Sequence, residues 1–317
     1  MKEKKQYLLL IKKYNHSIFY LSPICSIKLS LAKMLLKNYL QILLTSSLWG
    51  SSFLLMKFAL EELDPFQISF YRILIGMIFI NSLRIEKVKL SKKDHLYTAL
   101  VGMLWMTLPF YLFAESEKTI TSSLAGLVNG STPIFISMFA VIFFRQKISN
   151  IKKVYLFTGF LGIYILTFGF QTANLELSKG FLLALLASIS YGFAANFVQP
   201  LIKTYGALNT LRMALRYASL FSFILFSFNS EYFLPTFTGS LPSILILGIG
   251  GSGVAFLSFY KLIDDVGAIF GSITVYIIPI FSVIFGYIFL EETTSLSQIS
   301  GITVIILSAY LFTKTTD

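Results

Sequence analysis

Ten apolar stretches, each long enough to cross a bilayer as a helix, follow one another through most of this 317-residue chain. A bilayer core is about 30 Å thick, so a helix that rises about 1.5 Å per residue needs about 20 residues to cross it. The stretches lack the strict alternation of membrane β-strands. We therefore predict an all-α membrane protein with ten transmembrane helices, at residues 38–60, 66–83, 96–115, 119–144, 154–171, 180–202, 208–228, 240–262, 267–290 and 296–314.

Composition narrows the partners of such a chain. Hydrophobic residues make up 56% of it and charged residues 13%, against roughly 25% charged residues in a soluble domain. The net charge of +11 comes largely from 1–37, 84–93 and 145–153, which lie outside the spans, so we expect lipid and not nucleic acid as the partner. The single cysteine, Cys25, and the absence of any metal-ligand spacing predict no metal and no cofactor.

The loop charges predict an orientation. With the N-terminus in the cytoplasm, inside segments hold twenty Lys and Arg residues and outside loops hold two, Lys118 and Lys179. This bias follows the positive-inside rule and predicts a multi-pass protein of the inner membrane with both termini cytoplasmic. Residues 1–37 contain no apolar run of spanning length, so they are either a basic cytoplasmic extension or a stretch that precedes a true start at Met34.

The two halves of the chain, 38–171 and 180–314, resemble each other. Trp49-Gly50 aligns with Tyr191-Gly192, Arg72 with Arg216, and Pro133 with Pro279. Each copy holds five spans, and because five is odd the second copy enters the membrane from the opposite side. Inverted repeats are typical of secondary transporters, in which the substrate site lies near mid-membrane between the halves.

The motif LWGSSF at 48–53, followed by Lys57, Pro65 and Tyr71-Arg72, resembles the first two helices of an EamA domain. Further matching segments are 125–135, 271–279, 289–292 and Gly301, so the resemblance covers 38–314. It implies a ten-helix member of the drug/metabolite transporter superfamily, an ATP-independent carrier with its cavity between two five-helix halves. One departure is that Arg145-Gln146-Lys147 stands where the family often has a glutamate, as at Glu291 in the second half.

Polar and aromatic residues that share helix faces are candidates for the substrate cavity, although helix–helix packing would also explain them. These candidates are Trp49, Ser52, Asn129, Tyr191, Asn196, Tyr260 and Tyr276. Residues that weaken a helix by a missing hydrogen bond or a missing side chain are candidate hinges. These are Pro133, Pro279, Gly250 and Gly251.

Ionisable residues near the spans are candidates for coupling. Lys57 fits either an anchor at the membrane interface or a coupling role. Glu115 and Glu117 end the third span on the outside, where we expect both to be solvated, with Glu115 also a candidate coupling residue. We expect Arg72 and Arg216, at matching places in the two halves, to share one structural task.

These features predict a secondary transporter, and not an enzyme, that exports a small polar metabolite such as an amino acid by alternating access. An uptake or exchange carrier for a larger nucleotide-linked metabolite stays an alternative, as do an integral-membrane enzyme and a channel or scaffold. Asp264-Asp265 is the only paired carboxylate on the inside, and it reads as a solvated loop or helix cap. The oligomeric state stays open, with a homodimer as one candidate.

Overall fold

The computed structural model of the chain describes residues 36–84, 88–143, 145, 147–169, 178–230, 239–271 and 273–315. The predicted basic extension at 1–37 therefore lies almost wholly outside the described residues. The chain divides into two units, Met1–Gln41 and Ile42–Asp317. In the first unit only 36–41 are described, as the start of a helix, and the architecture below is that of the second unit.

The described residues form ten helices and no strand, at the places that the ten apolar stretches predict. In chain order they are α1 (Leu36–Ala59), α2 (Pro65–Ser82), α3 (Lys92–Ser116), α4 (Ser122–Ile142), α5 (Asn150–Phe168), α6 (Lys179–Tyr205), α7 (Ala207–Asn229), α8 (Leu241–Gly271), α9 (Ile273–Leu290) and α10 (Leu296–Lys314).

One predicted boundary is wrong. The eighth span was expected to end at residue 262 and the ninth to begin at 267, with Asp264 and Asp265 in a loop or cap. Helix α8 instead runs on to Gly271, with both aspartates exposed on it. No proline interrupts this stretch, and an exposed carboxylate does not end a helix by itself, so the helix continues.

Among the described residues, eight helices are long and apolar enough to cross a membrane. The other two are α2, which carries the buried Arg72, and α10, whose apolar part is Leu296–Phe312. Large apolar side chains cover the outer surface, where Phe228 is 84% exposed and Phe157 is 72% exposed. Such a surface suits lipid and not water, so the chain is an all-α membrane protein.

The two halves, α1–α5 and α6–α10, are inverted repeats that pack through matching glycines. A Cβ on Gly50 of α1 would lie 2.4 Å from the Cβ of Phe281 on α9, and a Cβ on Gly192 of α6 would lie 2.4 Å from that of Phe135 on α4. Only a residue without a side chain allows so close an approach of two helices. Each half thus presses its first helix onto the fourth helix of the other.

The third helix of each half contains a π-helical segment, Met103–Thr107 in α3 and Ile246–Ala255 in α8. The glycine-rich sequence 248–253 predicts irregularity in α8 alone, whereas the segment in α3 has no such signal. Segments of π-helix inside α-helices are rare and mark functional or strained places. Their matching positions are a second sign of the repeat.

The two candidate hinge prolines differ in their settings. Helix α4 consists of two parts, Ser122–Asn129 and Thr132–Ile142, and Pro133 lies in the first turn of the second part. There its missing N–H has little cost. Pro279, in contrast, lies inside α9, where a proline removes a hydrogen bond and bends the helix.

Candidate functional site

A cavity of about 360 Å³ lies between the two halves. Both halves contribute its walls, which combine a wide aromatic surface with amide, hydroxyl and two cationic groups. The residues that line it are Trp49, Ser52, Phe53, Met56, Arg72, Trp105, Phe110, Phe113, Asn129, Thr132, Ile136, Ser137, Ala140, Lys152, Tyr191, Ala195, Asn196, Gln199, Phe256, Phe259, Ile263, Val275, Ile278 and Phe312.

Five of the seven predicted cavity residues are in this lining. They are Trp49, Ser52, Asn129, Tyr191 and Asn196. The structure brings them together from α1, α4 and α6, which are far apart in the sequence. Their part in binding a substrate stays a prediction.

Tyr260 and Tyr276 are not in the lining. Tyr260 is 0% exposed and packs with its ring 6.0 Å from that of Trp105, and Tyr276 belongs to a buried cluster of apolar side chains. Each is the immediate neighbour of a lining residue, Phe259 or Val275. Because adjacent residues point about 100° apart on a helix, each tyrosine turns into the protein instead of the cavity.

The sequence reasoning missed the aromatic wall. The ring of Trp49 lies 5.0 Å from those of both Phe256 and Phe259, and the ring of Trp105 lies 6.2 Å from that of Phe259. Phe110 and Phe113 continue the wall on α3. A spacing of three residues in 110/113 and 256/259 was the available signal, but it is weak in a chain with 32 Phe and 17 Tyr.

Arg72 is a buried cation in the cavity wall, 2% exposed. Its Nε donates to Ser252 Oγ at 3.3 Å, and its guanidinium carbon lies 3.6 Å from the centre of the Phe110 ring. Arg216, in contrast, is exposed and donates to Asn81 Oδ1 at 2.7 Å. The expectation of one shared task for these two arginines is therefore wrong. Arg72 is the one that offers positive charge to a ligand.

The cavity extends toward one end of the bundle. Lys152, near the start of α5, and Phe312, near the end of α10, both line it, and the Lys152 Nζ lies 5.6 Å from the centre of the Phe312 ring. We call this the Lys152 end. The other end, which we call the Glu292 end, is formed by the end of α9 and the beginning of α4.

Hydrogen bonds hold the Glu292 end together. The Glu292 carboxylate accepts from the backbone N–H and the hydroxyl of both Ser122 and Ser123, at 2.6–2.9 Å. Burial by itself would raise the pKa of the Glu292 carboxyl, but the hydrogen bonds from Ser123 and Ser122 outweigh it and lower the pKa. Glu62 accepts from Ser240 N and Oγ in the same way, at the beginning of α8. These carboxylates satisfy backbone donors that helix beginnings leave free.

The two candidate coupling residues lie outside the cavity lining. Lys57 Nζ donates to the backbone oxygens of Glu117 at 2.5 Å and Ile120 at 3.2 Å, so it anchors the end of α3. Glu115 forms ion pairs with Lys118 at 2.7 Å and with Lys179 at 3.8 Å.

Glu117, expected to be solvated like Glu115, is instead 0% exposed. That expectation is wrong, because the Glu117 side chain is enclosed by the protein and not by water.

Two of the candidate hinges belong to the π-helical segment of α8. The indole N–H of Trp49 donates to the carbonyl oxygen of Gly251 at 3.1 Å, which ties α1 to this segment. A Cβ on Gly251 would lie 3.2 Å from both Arg72 Nη2 and Ser52 Oγ. The segment is therefore in contact with the polar part of the cavity wall, whereas Pro133 and Pro279 are not in the lining.

Comparison with known proteins gives consistent matches. The family described as the EamA-like transporter family matches residues 36–168 and again 178–314. An uncharacterized transporter of Archaeoglobus fulgidus is 24% identical over 88% of this chain and 99% of its own length. The riboflavin transporter ImpX of Fusobacterium nucleatum is 26% identical over 88% of this chain and 98% of its own length.

One solved crystal structure also resembles this chain in fold. It superposes with a TM-score of 0.63 at 15% sequence identity, and the match covers 87% of this chain and 96% of the other. The two sequences are too different for more than the fold to be carried over. The matched share shows that the same fold extends over nearly the whole of both chains.

Proposed function

Because the chain belongs to the EamA-like transporter family, we propose that it is a secondary transporter that carries a small polar metabolite, such as an amino acid, by alternating access. The observation that carries this proposal is the cavity between the halves, which is lined from both repeats, while hydrogen bonds join the two halves at the Glu292 end. A carrier needs such a site between two parts that can exchange their contacts.

The repeat supplies two equivalent interfaces for the exchange. One is the contact of Gly50 with Phe281 and the other is the contact of Gly192 with Phe135. Loosening one interface while the other stays packed would open one end of the cavity at a time. We propose that the repeats 38–171 and 180–314 are the parts that move, and that the π-helical segments of α3 and α8 act as hinges.

The orientation that we propose follows from the loop charges. The Lys152 end faces the cytoplasm, together with both termini and the extension 1–37, and the Glu292 end faces outward across the inner membrane. In this orientation the cavity extends toward the cytoplasm, which is the state in which an exporter accepts its substrate. We propose export as the direction of transport.

The chemistry of the cavity favours a ligand with a carboxylate and an apolar or aromatic part. Arg72 offers a buried cation that is not held by a carboxylate among the described residues, and Trp105, Phe110 and Phe256 offer ring faces. An amino acid with a large side chain fits both features. A polyanionic, nucleotide-linked compound fits less well, because Arg72 and Lys152 are the only cations among the described residues of the lining.

A planar heterocycle is the second candidate substrate. The aromatic wall favours it, since stacked and edge-on rings attract one another, and one relative is named a riboflavin transporter. The two candidates differ in their need for a carboxylate. Replacing Arg72 therefore distinguishes the two candidate substrates, because loss of the cation weakens the binding of an amino acid more than the binding of a neutral ring system.

The experiment is a thermal-shift screen of the purified protein against amino acids and riboflavin, followed by counterflow in proteoliposomes. We expect an amino acid to stabilise the wild-type protein and to be exchanged in proteoliposomes. Arg72→Gln abolishes this stabilisation. Arg216→Gln, in the exposed counterpart, is the matched control and leaves both unchanged. Stabilisation without exchange would contradict the carrier role, and equal loss in the two variants would contradict the assigned site.

A further inference from the structure

A buried carboxylate, Glu117, has no place in the cavity described above. It directly follows the last residue of α3, one turn beyond Phe113, and its backbone N–H donates to the Phe113 carbonyl at 3.0 Å. The side chain is 0% exposed, and neither carboxylate oxygen has a hydrogen-bond partner among the described residues. An ionised carboxylate is very costly to bury in this way, because nothing replaces its bound water.

The charged groups that face Glu117 come from three other elements. Lys57 of α1 gives its hydrogen bonds to the carbonyls of Glu117 and Ile120. Arg72 of α2 is held by Ser252 and the Phe110 ring. Glu292, a like charge, follows α9. On the same stretch of chain, Glu115 is paired with Lys118 and Lys179 at the surface.

The balance of these groups favours the neutral acid. Burial is the largest cause and raises the pKa of the Glu117 carboxyl well above its usual range; Glu292 adds to the rise, while Lys57 and Arg72 oppose it. The two cations attract the carboxylate from a distance, but their hydrogen bonds are given to neutral groups. Desolvation therefore exceeds attraction.

A proton is the ligand that this site fits. A hard metal cation needs several oxygen ligands, and the backbone oxygens of Glu117 and Ile120 are already bound by the Lys57 ammonium. A proton needs one carboxylate oxygen and removes the charge that makes burial costly. The site is also at the Glu292 end, where hydrogen bonds join the residue after α9 to the beginning of α4.

We propose that Glu117 is a proton-binding site that couples the opening of the Glu292 end to the protonation of this one carboxylate. When the end opens, water reaches the carboxyl, the O–H bond breaks and the proton passes to water on that side, which leaves the carboxylate hydrated near Lys57. Closing requires a proton to return to the carboxylate oxygen. In the proposed carrier, this step makes transport sensitive to the proton gradient, and in that sense the proposal rests on the proposed function.

The first test detects the proton directly and needs no substrate. Infrared spectra of the purified full-length protein are recorded as the pH is raised, and the C=O absorption of protonated carboxyl groups is followed. The wild type retains one such band at a pH where ordinary glutamates are ionised. Glu117→Gln removes the band, and the matched variant Glu115→Gln, two residues away, keeps it. A wild type without the band, or a band that survives in Glu117→Gln, would overturn the proposal.

The second test follows the opening of the Glu292 end. Ile120 is 7% exposed at this end, and Ile120→Cys in a chain with Cys25→Ser reports opening by its reaction with a maleimide, after correction for the reagent's own pH dependence. Opening that releases one proton makes the labelling rate rise about tenfold for each pH unit between the ordinary pKa of a hydrated glutamate, which applies in the open state, and the raised pKa of the buried Glu117 carboxyl in the closed state. Introducing Glu117→Gln into this Ile120→Cys chain abolishes the rise, whereas introducing Glu115→Gln retains it.

The outcomes separate this proposal from the carrier role. A labelling rate of the wild-type background that does not change with pH overturns the proton site, whatever the variants do. It leaves the proposed function standing, because opening was measured without any substrate. If counterflow is absent but the labelling rate depends on pH as expected, the carrier role is contradicted and the proton site at Glu117 stands.

Discussion

Trp49 on α1 donates its indole N–H to the carbonyl oxygen of Gly251 on α8, across a distance of 3.1 Å. The bond joins the first half of the molecule to the π-helical segment of the second half. The ring of Trp49 also packs against Phe256 and Phe259 in the cavity wall. One side chain thus connects the cavity surface to the part of α8 that is least regular.

Trp49→Phe removes this hydrogen bond and keeps an aromatic ring in place. Loss of a single hydrogen bond that leaves a carbonyl unsatisfied costs about 1 kcal/mol, so we expect a lower melting temperature and an altered exchange rate in proteoliposomes. Trp105→Phe shortens a ring in the same wall and is the control for ring size. If the two variants behave alike, the bond to Gly251 contributes nothing beyond packing.

Gly50→Ala and Gly192→Ala test the matching interfaces of the two repeats. Each new methyl group would lie 2.4 Å from a phenylalanine Cβ on the other half, and overpacking of this kind costs about 1–3 kcal/mol. Both variants should therefore lose stability, measured by thermal unfolding in detergent. Gly250→Ala would meet side-chain methyl groups of Leu48 at 3.2 Å and Ile246 at 3.7 Å, and it is the control.

The two glycine variants should differ in conformation although they resemble each other in stability. Each weakens a different interface, so one should favour opening at one end and the other at the opposite end. Maleimide labelling of Ile120→Cys in each background checks this. Identical labelling in both would show that the interfaces are not the alternating contacts.

Glu292→Gln tests the hydrogen bonds that hold the Glu292 end. The carboxyl pKa is lowered in the folded protein, so its contribution to stability is present above the pKa of the unfolded chain and is lost as the pH falls through the folded pKa. We expect Glu292→Gln to lower the free energy of unfolding by about 1 kcal/mol at neutral pH. The stability of the variant should also fall less than that of the wild type as the pH is lowered. Glu291→Gln, next to it and exposed, should leave the pH profile unchanged.

Pro279→Ala should slow transport more than it harms membrane insertion, since the proline lies inside α9 and bends it. Pro133→Ala should have a smaller effect, because Pro133 is in the first turn of a helical part where an alanine fits as well. Initial rates of counterflow, normalised to the amount of inserted protein, measure both. A larger loss for Pro133→Ala would contradict this ranking.

The fold could be predicted in some detail because lipid imposes a simple rule. Every span must be an apolar helix of about 20 residues, and so the ten helices occur where the apolar stretches are. The predicted boundary between α8 and α9 is wrong because two adjacent acids, Asp264 and Asp265, indicate a loop in the sequence, whereas exposed acids are tolerated on a helix. The π-helical segment of α3 had no signal, since the residues 103–107 contain no glycine or proline.

The site was harder to predict, because it depends on which way each helix is turned. Trp49, Asn129 and Asn196 could be placed from shared helix faces, but the rotation that removes Tyr260 from the lining is fixed by packing with other helices. Burial was misjudged for Glu117 for a similar reason. Glu115, two residues earlier, is partly exposed and paired with Lys118 and Lys179, and residues two apart at a helix end point to different sides.

The most direct test of alternating access needs no known substrate. Ala195→Cys places a thiol in the cavity wall, and a pair of further cysteines, Ser123→Cys with Gly286→Cys, can lock the Glu292 end. A Cβ on Gly286 would lie within 2.2 Å of the Ser123 hydroxyl oxygen, so oxidation can join the two positions. All three changes are made with Cys25→Ser.

An impermeant maleimide is then added to vesicles of known orientation, from one side at a time. The proposal predicts that the thiol at residue 195 reacts from both sides when the pair is reduced, and only from the Lys152 end when the pair is oxidised. Labelling from the Glu292 end that persists through the disulfide would contradict alternating access between the two repeats.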